Sequence, residues 1–164
     1  GNINQTMNVD LVDHVTKQLP DTTFKFAGPV HPSMKSKIDS LQTRPNVEFL
    51  GALAKSEVPA FLRQCRVLFS IKRNDDITSG NDSMKIYEYL ATGRPVVSTP
   101  VSPADRLSDV VYTAYDQKEF IEKLRQALTE DNPDRIQRRL EVARENAWEK
   151  RIDSFVDATL SRLN

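Results

Sequence analysis

Only one cysteine, Cys65, occurs in the 164 residues, so no intramolecular disulfide can form and the small disulfide-held secreted scaffolds are excluded. Cys65 lies beside the apolar run "VLFS", a setting for packing in a reducing compartment and not for a stabilised thiolate. An excess of charge of one sign is also missing. Lysine and arginine (23) balance aspartate and glutamate (23), so no broad positive field draws the chain to nucleic acid or anionic lipid, and any phosphate site has to be local. No apolar run approaches the ~20 residues of a membrane span, and the opening residues do not read as a signal peptide; a soluble piece is expected. The two histidines, His14 and His31, have no cysteine or carboxylate cluster at ligand spacing, which argues against a zinc site. G-x-S-x-G and the P-loop do not occur, no serine sits in a nucleophile elbow, and "GNINQT" has one glycine where the dinucleotide fingerprint needs three. For the residues present, those gaps remove the commonest serine hydrolases, dehydrogenases and P-loop NTPases.

What is present is an alternation of short and long apolar segments. Runs rich in β-branched and aromatic residues predict strands at 23–27, 46–50, 66–71, 95–99 and 109–113, with amphipathic helices at 8–19, 33–42, 56–64 and 83–92 between them. That order predicts βαβ units in a doubly wound, Rossmann-like parallel sheet. The length suits one domain, since ~100–150 residues is the commonest size. Gly28-Pro29 ends the first of these strands, Ser56 is placed to cap the third helix with Pro59 in its first turn, and Gly93 stands where a helix end needs positive φ. Asp116 reads as an N-cap with Glu119 three residues on, followed by the stripe Phe120, Ile121, Leu124 and Leu128. Asn132-Pro133 breaks that helix. A long helix over 134–162 follows, with Leu140, Ala143, Ala147, Ile152, Phe155, Thr159 and Leu163 as its apolar stripe and its dense charges read as a solvated face. The opening "GNINQTMNVDLV" reads as the tail of a strand, its turn and the start of a helix. A doubly wound fold normally begins with a complete central strand, so a truncated first strand and a piece of a larger protein are expected.

The stretch Ser70–Gly93, "SIKRNDDITSGNDSMKIYEYLATG", holds the chemistry. A polar loop of about ten residues joins strand to helix where ~2–6 is usual, at the sheet edge where ligands bind. The helix start near Asp82 or Ser83 offers free N–H groups and a positive dipole end to a diphosphate, and Lys72, Arg73 and Lys85 add charge. Glu88 lies on the same helix face as Lys85, three residues on. A carboxylate there can accept hydrogen bonds from the vicinal hydroxyls of a ribose; the competing reading is a solvated Lys85–Glu88 surface pair worth tenths of a kcal/mol. His31, in the loop after the first strand, is open between a ligand contact and a surface or helix-capping role.

The run from "NVEFLGALAKSEVPAFLRQCRVLFSI" through "KIYEYLATGRPVV" resembles the carboxyl-terminal domain of group 1, GT4-like glycosyltransferases of the GT-B fold, and "ENAWEKRIDSFVDATL" resembles that domain's closing helix. The resemblance implies a domain that binds a nucleotide sugar, while an amino-terminal domain, absent from this sequence, supplies the acceptor site and much of the catalytic machinery. Carried over by position, Glu88 resembles the motif glutamate that holds the ribose. Lys85 matches the lysine of the "P-x-K-x-x-E-Y-L-A" variant, with Ser83 in place of its proline. The family's earlier glutamate would fall at Gly80, so Asp82, Asn81 or the backbone of 79–82 would have to meet the hexose. Asn74 and Thr78 resemble polar residues near sugar or phosphate. Gly51 to Leu53 resembles the turn against which the base packs. Basic residues that many relatives carry in the opening turn do not occur before Lys17, which leaves Lys72, Arg73 and Lys85 as the local positive charge.

The implied function is the donor-binding half of a transferase that uses a UDP- or GDP-sugar, retains configuration, requires no metal and is inactive as this piece alone. The implied setting is cytoplasmic, in cell-surface polysaccharide biosynthesis, with peripheral membrane contact allowed through the intact enzyme and no nucleic-acid partner. The alternatives are a non-catalytic GT-B-like regulatory or assembly module, and a sugar-nucleotide epimerase sharing the two-domain architecture.

Overall fold

A computed structural model describes residues 1–73, 83–148 and 150. The elements run α1 (Val9–Gln18), β1 (Phe24–Phe26), α2 (Lys35–Gln42), β2 (Val47–Phe49), α3 (Val58–Gln64), β3 (Leu68–Ser70), α4 (Met84–Leu90), β4 (Val96–Ser98), β5 (Val111–Thr113), α5 (Gln117–Leu128) and α6 (Pro133–Glu145). All strand pairs are parallel. β1 pairs with β2, and β3-β4-β5 form a second sheet in that order, Leu68 opposite Val96 and Val96 opposite Val111.

The pleat explains the layers. Successive side chains of a strand point to opposite faces, and β4 divides its valines accordingly. Val97 joins the cluster built on Val12 and Val15 of α1 and Phe120 and Leu124 of α5, whereas Val96 joins Ile86 and Leu90 of α4 and Val142 of α6. Helices therefore cover both faces of this sheet, the doubly wound arrangement the alternation predicts. Both faces of β4 are buried, which is why its segment reads as a continuous apolar run. Between the sheets, the Phe69 ring of β3 stands edge-on to Phe24 (6.1 Å) and Phe26 (5.5 Å) of β1, and Phe26 stacks on Phe49 of β2 at 4.8 Å.

Capping chemistry sets most helix starts. Asn8 accepts from the Leu11 N–H at the start of α1, and Asn132 accepts from Arg135 with Pro133 in the first turn of α6. Asp116 caps α5 through the Glu119 N–H at 2.8 Å, and the Glu119 carboxylate reaches back to the Tyr115 N–H, also at 2.8 Å. Gly93 follows α4 at φ +73°.

Three expectations need correction. Ser56 does not cap α3: the helix starts at Val58, and Glu57 turns back to accept from the Ala54 N–H at 2.7 Å, using the segment's carboxylate for the turn instead. The long closing helix is not continuous. α6 ends at Glu145, where the Asn146 N–H bonds the carbonyls of Arg144 and Val142, and Ile152, Phe155, Thr159 and Leu163 lie outside the described residues. The buried positions of α6 are Arg139 and Val142, with Leu140 and Ala143 half-buried beside them, so the inward face is rotated onto a charged residue. The opening residues behave as the expected tail of a strand: Ile3 bridges Val30 in parallel, Met7 bridges Lys72 antiparallel, and the segment runs along the carboxyl ends of β1 and β3.

Candidate functional site

The carboxyl ends of β1, β2 and β3 bring backbone unusually close together. The Gly1 amino group donates to the Ala27 carbonyl at 2.6 Å, and the Gly28 N–H donates to the Gly51 carbonyl at 2.7 Å. Gly28 has φ +144°, and a Cβ there would sit 1.7 Å from the Gly1 carbonyl oxygen. Only glycine fits such an approach. Gly51, at φ +69°, has nothing within 4 Å of where a Cβ would lie, and Leu50 beside it is 43% exposed. With Leu53 half-buried nearby in sequence, this turn offers an open apolar ledge.

The opening turn supports the same edge. Asn4 Oδ1 accepts from the Thr6 N–H (3.1 Å) and hydroxyl (2.7 Å), while the Thr6 carbonyl accepts from the Arg73 N–H at 2.8 Å. Gln5 donates to Ser33 Oγ at 2.8 Å, and His31 Nδ1 is 2.8 Å from that oxygen. The His31 ring also accepts from the Ser33 N–H, so of the readings left open for His31 the structure displays the cap.

α4 enters from the other side. Its first residue follows Ser83, which is buried and whose N–H donates to the Ser102 carbonyl at 3.1 Å, fixing the helix start to the chain leaving β4. Lys85, in the first turn, reaches the opening residues: a Cβ on Gly1 would come 1.9 Å from Lys85 Nζ. Lys72 lies near enough to feel it. Burial first, and then the Lys85 charge, pull the Lys72 ammonium below its ordinary value. Burial, with Lys85 lowering and Glu88 raising, also governs the Gly1 amino group, whose pKa falls. Lys72, Lys85 and Glu88 thus bear on one region.

Among the described residues, Lys72, Lys85 and Glu88 share no salt bridge, although exposed pairs elsewhere do form, such as Lys17–Asp13 at 2.7 Å. The surface Lys85–Glu88 pair that their spacing permits is not made. Arg73 is exposed, with its backbone bonded as above. Asn74, Thr78, Asn81 and Asp82, and the Gly80 position, lie outside the described residues. No group of three His, Cys, Asp or Glu side chains able to hold a metal is found among the described residues.

Sequence reasoning missed Gly28, Asn4 and Gln5 as parts of this edge. The signals were there: a glycine directly after a strand, and an Asn/Gln/Thr-rich turn at the carboxyl end of a parallel sheet.

Fold and edge together define the Rossmann-like half of a GT-B architecture. Over 98% of its length the chain superposes on an α,α-trehalose-phosphate synthase (UDP-forming) from Burkholderia vietnamiensis, with a TM-score of 0.75, 16% identity and 44% of that protein covered. HepE of Anabaena, solved in complex with UDP and glucose, superposes over 98% of this chain and 47% of its own, with a TM-score of 0.72 and 16% identity. The model of the family described as glycosyl transferases group 1 matches residues 2–130, and the chain belongs to that family. A relative named as a teichuronic acid biosynthesis glycosyltransferase, TuaH of Bacillus subtilis (strain 168), is 24% identical over 107 residues, which are 65% of this chain and 27% of that protein. The chain therefore spans about a quarter of that relative and under half of the solved structures.

Proposed function

We propose that this chain is the nucleotide-sugar-binding domain of a glycosyltransferase, working with an amino-terminal domain that holds the acceptor. The observation that carries the reading is the pair Lys72 and Lys85, neither with a carboxylate partner among the described residues: the Lys85 charge bears on Lys72, and Lys85 itself lies against Gly1 beside the tight Gly1–Gly28 backbone approach. Such an edge suits the diphosphate of a UDP- or GDP-sugar. Lys72 and Lys85, with Arg73 and the N–H groups around Ser83, supply positive charge as the nucleoside diphosphate departs. Glu88, exposed and without an ion-pair partner among the described residues, accepts from the ribose hydroxyls, and the open Gly51 turn with Leu50 and Leu53 takes the base. Asn74, Thr78 and Asp82 complete the donor site near sugar and phosphate. Transfer proceeds with retention and without a metal, in the cytoplasm, for a cell-surface polysaccharide. No described helix is long and apolar enough to cross a membrane.

Calorimetry with UDP, GDP and ADP tests this. One of the three is expected to bind, Glu88→Gln to weaken it by about 1.5–3 kcal/mol, the range for hydrogen bonds to a charged group, and Lys85→Ala to lower affinity for the diphosphate more than for the bare nucleoside. Glu122→Gln, on the exposed face of α5, is the control; Glu119 is unsuitable because it caps that helix. Equal binding by Glu88→Gln removes the ribose role, and no binding of any of the three at millimolar concentration overturns the reading.

A further inference from the structure

Arg139 is the largest side chain with no exposed surface among the described residues. A charged residue is almost never fully buried unless it is paired, and this one is held from three directions. Its Nη1 and Nη2 donate to Glu130 Oε1 (2.5 Å) and Oε2 (2.8 Å), its Nε to the Val110 carbonyl (3.2 Å), and Nη1 also to the Gly93 carbonyl (3.3 Å). Glu130 follows α5, Val110 precedes β5, and Gly93 closes the turn after α4. One planar guanidinium therefore fixes α6 to three elements at once, which a lysine ammonium, a point donor, cannot reproduce.

The Gly93 contact is the informative one. That turn is gripped from α6 by apolar atoms as well: a Cβ on Gly93 would meet Ile136 Cγ2 at 3.0 Å and Leu140 Cδ2 at 3.8 Å. α4 is only seven residues long, about 10 Å at 1.5 Å per residue. Its apolar face, Ile86 and Leu90, packs with Val142, but apolar contact alone is non-directional and leaves axial position and rotation loosely set. Directional restraints at its two ends include Ser83 on Ser102 at the start and, at the finish, Gly93 on Arg139 with Arg94 on the Arg63 carbonyl at 3.0 Å. A hydrophobic residue in the place of Arg139 would fill the space with no desolvation cost, so the charge is better explained by what it aims at than by stability.

We propose that Arg139 is a positioning residue: by holding the Gly93 carbonyl it sets the rotation and axial placement of α4, and thereby where Lys85 and Glu88 stand at the strand edge. The consequence for ligand rests on the nucleotide reading above; the effect on α4 does not.

Two variants test it. Arg139→Lys keeps a cation, whereas Arg139→Met combined with Glu130→Met removes both charges and keeps the bulk, so its melting temperature is expected to return to near wild type. In both, amide hydrogen exchange at Ala91, Thr92 and Gly93 is expected to quicken about tenfold relative to Val12 and Val15 of α1, which belong to the other core cluster. Affinity for UDP, or whichever of UDP, GDP and ADP the wild type binds, is expected to fall about fivefold in the double variant despite its restored stability. A purely structural role predicts that restored stability restores both exchange and affinity, and that outcome overturns the proposal. So does quickened exchange with unchanged affinity. A wild type that binds none of the three sinks the nucleotide reading instead, and exchange then decides alone: Ala91–Gly93 unchanged in Arg139→Lys overturns the positioning role. Should the double variant fail to fold, Arg139→Lys carries both readouts.

Discussion

Replacing Glu130 with glutamine tests the electrostatics of the α5–β5–α6 junction. The Glu130 side chain is 6% exposed and receives both terminal nitrogens of Arg139, with Arg135 Nη1 at 3.3 Å and the Tyr112 hydroxyl donating at 2.6 Å. Arg135 also lies 4.3 Å over the Tyr112 ring. Glutamine keeps the size and one acceptor oxygen, but leaves the Arg139 cation buried without a counter-charge and a second guanidinium beside it. Breaking a buried pair from one side costs about 3–5 kcal/mol, a large part of the 5–15 kcal/mol typical of a domain. For a chain of this size that is a drop of about 6–20 °C in melting temperature.

The pH dependence supplies an internal check. Burial alone would raise the Glu130 carboxyl, but hydrogen bonds from Arg139 and Tyr112 and the charges of Arg139 and Arg135 outweigh it and hold the group below the usual carboxylate value. A carboxylate depressed in the folded state stabilises fully above its unfolded value, about 4.3, and loses that stabilisation as pH falls through the folded value. The gap between wild type and Glu130→Gln, measured by urea denaturation at pH 7, 5.5 and 4, should therefore be full at the first two and narrower at the third. A gap under about 1 kcal/mol at pH 7, typical of an exposed pair, or one that does not narrow by pH 4, would refute this account.

Gly28→Ala and Gly51→Ala should separate collision from strain. Gly51→Ala, with open space around it, should cost about the 1–2 kcal/mol of a left-handed non-glycine residue, and Gly28→Ala clearly more, by urea denaturation; equal costs would mean that the Gly1–Gly28 approach does not constrain the fold. Cys65 is half-buried, its Sγ lies 3.5 Å from the Phe61 carbonyl, and burial pushes its thiol up. Alkylation by iodoacetamide at pH 7.5 should therefore run slower than for a free cysteine and accelerate as pH rises, and a faster reaction would contradict the packing role.

What the sequence displayed was whatever rests on neighbours along the chain. The five strands and helices α1 to α5 lie where periodicity places them, trimmed at the ends, because a three-residue ladder such as Leu68–Ser70 on Val96–Ser98 is shorter than the apolar run that feeds it. Asp116 and Gly93 were legible because a cap involves residues within one turn, whereas Asn132 read only as a break and its capping of α6 came with the structure. Ser56 failed for a related reason: Glu57, one residue on, found a turn partner at Ala54, and competition between adjacent polar side chains is not settled by propensity. Arg139 was illegible in principle. A charge on a charged helix face reads as solvated, and its partners at Gly93, Val110 and Glu130 are set by how three elements meet.

The candidate site divides in the same way. Its charges, Lys72, Lys85 and Glu88, were visible as residue types at a strand edge, but their separation from one another was not, since i,i+3 spacing on a helix permits a Lys85–Glu88 pair that the structure does not make. Lys85 instead lies alongside Gly1, where a Cβ on that glycine would come 1.9 Å from its Nζ, and that approach requires two core clusters to be in place. Gly1–Met7 and β1 belong with the α1 and α5 side, whereas α4 belongs with α6. The two sides meet where Met7 bridges Lys72 and where β4 sends Val97 one way and Val96 the other. A site built across such a junction keeps its geometry only if each side is fixed independently. On the first side close backbone approach through Gly28 does this, and on the second the buried guanidinium of Arg139 holds the far end of the helix that carries Lys85 and Glu88.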